Sequence, residues 1–244
     1  KRAGGPWAVG HEGTTAALKA ADRLFAMTRF DRVCLDQLAP GRVVDLKPFI
    51  DIGPYTRALK QKGPLHLVTV GMMRNERKRA SYALLAAALR QLGDLPLTLT
   101  IAGDGPFRAE IEAMFAPVSP VHRVRFVGTV TADAIPGLLG SGDIFAWPGL
   151  GEAYGLVFLE AQAAGLPVVA CRDRGVPDAT REGETTLLSA PDDPGAYAAN
   201  LRRLATDAGL RLAFGTAAHK FVHEERGIDA AAATLRRVIA DVTA

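Results

Sequence analysis

Pro148-Gly-Leu-Gly-Glu152-Ala-Tyr-Gly155-Leu156-Val-Phe-Leu-Glu160-Ala-Gln-Ala-Ala-Gly165 is the stretch on which the reading of this chain turns. Just before it, Ile144–Trp147 is a short apolar run that predicts a buried strand ending at Pro148. After the glycines, the pattern predicts a helix over Tyr154–Ala164. The free amides of Gly155 and Leu156 then sit at a helix N-terminus, where unsatisfied N–H groups and the helix dipole favour an anion such as a diphosphate. Gly155 has no Cβ to keep that anion from the backbone. Glu160 falls in the second turn among Val157, Phe158, Leu159, Ala161 and Ala163. A carboxylate in apolar surroundings is costly unless it accepts hydrogen bonds, and a ribose diol supplies two donors. The competing reading puts Glu160 on an exposed stripe of the helix.

The same alternation of apolar runs and amphipathic stretches extends on both sides. Candidate strands are Leu65–Val70, Leu97–Ala102, Val124–Val127, Ile144–Trp147, Pro167–Ala170 and Thr186–Leu188. Between and after them lie helical stretches at Arg79–Leu92, Phe107–Phe115, Ala132–Leu139, Tyr154–Ala164, Pro177–Arg181 and Pro194–Ala208. Strands joined by crossover helices form a parallel sheet, and runs such as Leu-Pro-Val-Val-Ala, apolar without alternation, are those of strands covered on both faces. The expected fold is therefore α/β, a doubly wound parallel sheet of Rossmann-like type.

Two further loops are candidates for the same anion site, because open parallel sheets bind ligands at the carboxyl ends of their strands. Leu65–Val70 runs into Gly71-Met-Met-Arg74-Asn-Glu-Arg77-Lys78-Arg79. There Arg74 could grip a phosphate with its fork and Lys78 as a point charge, with Arg77 a rival for the second role. Basic residues before a helix are also, and more commonly, just solvated. Leu97–Ala102 runs into Gly103-Asp104-Gly105-Pro106, which by itself signals chain reversal.

Composition sets bounds on the partners. The 244 residues are 48% hydrophobic and 23% charged, enough apolar surface for a full core and against disorder. The net charge of +3 is spread over 29 basic and 26 acidic side chains, so no nucleic-acid partner is expected. Cys34 and Cys171 are the two cysteines; with neither a disulfide framework nor zinc spacing, a reducing cytoplasm fits. The sequence has no GxGxxG fingerprint, no phosphate loop of the GxxxxGK[ST] type, no GxSxG elbow and no Asp-x-Asp pair. Phosphate charge is thus expected to be met by protein groups, with no metal and no cofactor.

Together these segments resemble the C-terminal domain of retaining GT-B glycosyltransferases of the group 1, or family 4, type, which includes bacterial enzymes of polysaccharide and glycolipid synthesis. Glu152 and Glu160 match the family's Glu-x₇-Glu motif, with Pro148 four residues before it. Gly71, Arg74 and Lys78 look like its glycine, arginine and lysine loop. Gly103-Asp-Gly-Pro, Val124-Arg-Phe-Val-Gly128 and Gly175-Val-Pro-Asp178 follow in the family's order and spacing. The resemblance implies transfer of a sugar from a nucleoside diphosphate sugar to a saccharide or lipid-linked acceptor, with retention at the anomeric carbon. Glu152, Arg74 and Lys78 are then the catalytic group. Gly71, Val130, Tyr154, Gly155, Leu156 and Glu160 bind the donor, with Val130 near the base and Glu160 on the ribose. A cytoplasmic enzyme follows, at the inner face of a membrane where the acceptor is lipid-linked. A GT-B-like sugar-nucleotide epimerase and a non-catalytic nucleotide-binding module are the alternatives.

The segment before the linker reads differently, with a helix at Thr14–Ala21, a strand at Leu24–Thr28, a helix at Phe30–Leu38 and a strand at Arg42–Leu46. Two strands are too few to close a sheet. The resemblance makes residues 1–61 the end of an N-terminal acceptor domain with its linker, and 62–224 the nucleotide-sugar domain. Residues 225–244, with a helix at Asp229–Val242, then cross back toward the first. The chain opens on Lys1, so it is expected to be a piece lacking most of the acceptor domain and inactive by itself.

Overall fold

The computed structural model describes residues 8–56 and 63–243. It divides into two compact units, one of residues up to Pro48 with Asp229 onward, the other of Phe49–Ile228. The domain boundary expected at residues 61–62 lies outside the described residues. The described part of the linker, Phe49 to Thr56, groups with the larger unit.

The smaller unit begins with α1 (Ala8–Ala20), β1 (Leu24–Ala26), α2 (Arg29–Leu38) and β2 (Val43–Asp45). The two strands pair in parallel, Leu24 against Val43, over a small core of Leu24, Ala26, Ala39 and Val43. The strand expected to reach Thr28 stops at Ala26, because Thr28 is recruited as the cap of α2. Its hydroxyl accepts from the Asp31 amide at 3.1 Å while the Asp31 carboxylate accepts from the Thr28 amide at 3.1 Å. This reciprocal capping box satisfies two otherwise orphaned donors.

The larger unit runs β3 (Leu65–Val70), α3 (Arg77–Arg90), β4 (Leu97–Ala102), α4 (Arg108–Phe115), α5 (Ser119–His122), β5 (Val124–Gly128) and α6 (Ile135–Gly140). It continues with β6 (Ile144–Ala146), α7 (Leu156–Ala163), β7 (Val168–Cys171), α8 (Val176–Ala179) and β8 (Thr186–Ser189). Then come α9 (Pro194–Thr206), α10 (Ala208–Glu225) and α11 (Ile228–Thr243), which passes into the smaller unit. Its six strands are all parallel, in the order β5-β4-β3-β6-β7-β8. This is the doubly wound Rossmann-like arrangement: the first strand is central, and the chain winds outward first on one side and then on the other. It is the expected α/β fold, and the smaller unit is a second α/β unit of two parallel strands and helices.

All six expected strands are present to within a residue or two. The interior is closed by Trp147, Tyr82, Tyr197, Phe115, Phe145 and Phe158, all fully buried. The two buried phenols each find an acceptor, Tyr82 on the Gly71 carbonyl at 2.6 Å and Tyr197 on the Val169 carbonyl at 2.9 Å, as buried hydroxyls must. One long element departs from the sequence reading, which left residues 209–225 outside any helix. Asp207 ends α9 and also caps α10, its carboxylate accepting from the Leu210 amide at 2.8 Å, so two helices abut where one was expected to fade out. Phe214, Ala218, Phe221 and Val222 form the buried face of α10.

The loops after β3 and β4 are knitted together. Gly71 N–H donates to the Ala102 carbonyl at 3.0 Å and Met73 N–H to the Asp104 carbonyl at 2.9 Å. A Cβ on Gly103, whose φ is +136°, would lie 1.9 Å from the Gly71 carbonyl oxygen. Gly103→Ala should therefore destabilise the fold by roughly 2–4 kcal/mol through strain and overlap with backbone that has nowhere to move. Gly137→Ala in α6, where a Cβ meets nothing within 4 Å, should be neutral or gain up to about 1 kcal/mol. Urea unfolding of the two variants checks this; equal midpoints would contradict the packing of these loops.

Candidate active site

In a doubly wound sheet, neighbouring strands whose crossovers leave on opposite faces open a crevice at their carboxyl ends. Here those strands are β3 and β6. The crevice is a cleft of about 480 Å³, walled by Val70, Gly71 and Met72 after β3, by Ala102–Asp104 after β4, and by Thr129 and Val130 after β5. Lys78 of α3, Ile135 of α6 and the run from Glu152 to Val157 complete it, with Glu160 one turn further along α7.

One wall is held by an ion pair. Lys78, in the first turn of α3, contacts the carboxylate of Glu152. The same Glu152 oxygen accepts from the indole N–H of Trp147 at 3.2 Å. Trp147 packs edge-on against Tyr82, ring centroids 4.8 Å apart, and the Lys78 ammonium lies 5.5 Å from the indole. The loop carrying Glu152 is itself pinned: Leu150 N–H donates to Ser81 Oγ at 3.0 Å and Gly151 N–H to Asp173 Oδ2 at 2.7 Å.

The helix behind the loop begins two residues later than expected, at Leu156, with Gly155 as its cap in the left-handed conformation (φ +68°). A side chain at Gly155 would be strained there and would press on Ala179 and Phe158. Gly155 has no side chain to cap the amides of the first turn, so they are left to water or a ligand at the positive end of the helix. Asp104, on the opposite wall, has its carboxyl held below the usual range by the Gly105 amide and then by Arg108.

Glu160 is half-buried at the cleft. Burial pushes its carboxyl up, and a hydrogen bond from the Tyr55 hydroxyl opposes that shift. Tyr55 is itself almost fully buried, in the turn Ile52–Tyr55 closed by a 3.0 Å bond from the Tyr55 amide to the Ile52 carbonyl. Its phenol is pushed up by burial and by the negative charge of Glu160.

The structure thus brings Gly71, Lys78, Val130, Glu152, Tyr154, Gly155, Leu156 and Glu160 to one cleft. Arg74 is exposed and off the cleft wall, as is Arg77. The turn Gly103–Pro106 does more than reverse the chain, because Gly103 and Asp104 form part of the wall. Tyr55 and Trp147 were not expected at the site. A lone aromatic in a Pro- and Gly-rich linker is a signal for the first; an indole at the end of an apolar strand, needing a partner for its N–H, is one for the second.

The family profile of Glycosyl transferases group 1 matches residues 64–207, more than half of the chain and all of this cleft apart from Tyr55 behind it. The chain belongs to this glycosyltransferase family. It is 32% identical over 240 residues to a D-inositol 3-phosphate glycosyltransferase of Salinispora tropica, covering 85% of this chain and 49% of that one. The chain thus spans about half the length of that relative. The sucrose-phosphate synthase of Thermosynechococcus elongatus superposes with a TM-score of 0.80 at 20% identity, over 98% of this chain and 64% of that one. Anabaena HepE, solved in complex with UDP, superposes with a TM-score of 0.76 at 18% identity, over 93% and 65%.

The side chains of Lys78 and Glu152 are 22% and 17% exposed, far less than the 55% and 41% of the surface pair Arg172–Glu182. A double-mutant cycle of Lys78→Met and Glu152→Gln should give a coupling of roughly 1–3 kcal/mol, against under about 1 kcal/mol for the surface pair. Unfolding curves of the seven proteins, the parent and three variants for each pair, measure both; equal couplings would show that the cleft pair is as solvated as an ordinary surface one.

Proposed function

We propose that the protein to which this chain belongs is a retaining glycosyltransferase that moves a sugar from a nucleoside diphosphate sugar to a saccharide or lipid-linked acceptor. The observation that supports this most is the two-ended chemistry of one cleft: a cation and free helix amides at one end, and a half-buried carboxylate one turn away along the same helix. A nucleoside diphosphate carries the complementary pair, an anionic diphosphate and a ribose diol. On this reading the amides of Gly155 and Leu156 and the ammonium of Lys78 meet the diphosphate, where negative charge grows as the glycosidic bond breaks. Glu160 takes the ribose hydroxyls, and Val130 lies beside the base. Glu152, steadied by Lys78 and Trp147, orients hydroxyls of the donor sugar. Arg74, exposed on the loop after β3, is the further candidate for a phosphate contact. No metal or cofactor is needed for this charge balance. Among the described residues no helix is long and apolar enough to cross a membrane. A cytoplasmic site of action, at the inner membrane face for a lipid-linked acceptor, goes with the proposal.

Two measurements test the donor site, using whichever of UDP, GDP or ADP binds most tightly. Glu160→Leu removes a charge-assisted hydrogen bond, worth about 1.5–3 kcal/mol, so affinity should fall roughly 10- to 100-fold. The unliganded fold should be as stable or more so, since a half-buried carboxylate is gone. Unchanged affinity by calorimetry would remove Glu160 from the site.

The second measurement separates charge from shape. Arg74→Gln and Lys78→Gln should each weaken binding of the nucleoside diphosphate far more than binding of the bare nucleoside. Equal losses for both ligands would mark the residue as structural and make Arg77 the phosphate contact to examine.

A further inference from the structure

We propose that the cleft selects donors whose sugar carries no charge, a neutral hexose or N-acetylhexosamine, and that the Glu152 carboxylate turns away a uronic or sulfonated sugar. The inference rests on the reading of this cleft as the nucleoside diphosphate sugar site. It goes beyond that reading by naming the class of sugar.

The charges on the wall are unevenly matched. Among the described residues, Lys78 is the one cation lining the cleft, against the carboxylates of Asp104, Glu152 and Glu160. Neither that cation nor the one bonded to the far wall is spare. Lys78 contacts Glu152, and Arg108 is shared between Asp104 at 2.9 Å and Glu112 at 2.8 Å. Arg74 and Arg77 are exposed and off the wall. A diphosphate entering here draws on Lys78 and on the helix amides of Gly155 and Leu156 for its own charge. An anionic group on the sugar then finds no cation left over on the wall and faces a carboxylate instead.

Glu152 is placed to make that repulsion count. Its side chain is only 17% exposed, so little water screens it, and like charges brought together under those conditions repel strongly. Its loop is pinned by the bonds of the Leu150 and Gly151 amides, which keeps the acid from moving aside. Both of its contacts, the Lys78 ammonium and the Trp147 indole N–H at 3.2 Å, fall on Oε1. Oε2 is thus the oxygen left to accept from a ligand. Sugar hydroxyls are donors and suit it; an ionised carboxylate or sulfonate has acceptors alone and does not.

The test uses the whole chain and calorimetry, with whichever of UDP, GDP or ADP binds most tightly. Its hexose, hexuronate and hexuronamide esters are compared in the gluco and manno series, and the tighter-binding series is scored. The amide has the shape of the carboxylate without its charge. The parent protein should bind the hexuronate roughly 10-fold or more weakly than the hexuronamide. Glu152→Gln keeps an acceptor for the indole and for a sugar hydroxyl but removes the charge, so it should narrow that gap to under about 3-fold. The comparison within the parent needs no variant and stands even where Glu152→Gln folds poorly. Equal binding of hexuronate and hexuronamide by the parent, or a gap that survives in folded Glu152→Gln, overturns the proposal while the donor site stands. If UDP, GDP, ADP and their sugar esters all fail to bind, the donor site itself is overturned, and the selection of its sugar with it.

Discussion

The arrangement of this chain depends on one constraint, the parallel sheet whose two central strands send their crossovers to opposite faces. β3 and β6 are hydrogen-bonded neighbours, yet α3 and α7 leave them in opposite directions. No crossover covers the gap between their carboxyl ends. Whatever follows β3 and β6 must therefore line that gap: Gly71 and Met72 from one, Glu152 to Leu156 from the other. Lys78 and Glu152 are 74 residues apart in the sequence, and it is this divergence that puts them in contact. Removing the constraint, for instance by exchanging the order of the two strands, would leave the same side chains on separate surfaces.

Legibility in the sequence followed the range of the interaction concerned. The six strands were readable because most are apolar runs covered on both faces, a property local to three to six residues. The helix after the glycines was readable too, though its start was placed at Tyr154, two residues early, because the left-handed cap at Gly155 leaves no mark in the apolar pattern. The helix α10 was not, because its existence depends on Asp207 ending one helix and capping the next, a double use of one side chain. Arg74 shows the limit of motif spacing: position after a glycine says which loop a side chain belongs to, but not whether it faces the cleft or solvent. Tyr55 shows the limit of reading by segment. It lies in a stretch whose prolines and glycines spell a linker, yet it is buried in the main core.

The two glutamates of the cleft are of one chemical type in two environments. Glu152 contacts the Lys78 ammonium and accepts from the Trp147 indole N–H. Glu160 is half-buried, and burial raises its carboxyl above the usual range. The first is a finished structural contact in the empty cleft and the second an unfinished one. That difference sorts the pair into a group that shapes the site and a group open to a ligand, although both belong to one Glu-x₇-Glu motif.

The pairing of Lys78 with Glu152 has a consequence for how a nucleotide would arrive. A bare ammonium at the mouth of a cleft projects its field over about a Debye length, roughly 8–10 Å, and gathers polyanions of every kind. Here the charge is already cancelled by its neighbour, and Asp104 on the far wall is cancelled by Arg108. The field of the Lys78 ammonium is thus shortened by its partner, and its pull on an anion is felt mainly by a molecule already inside the cleft.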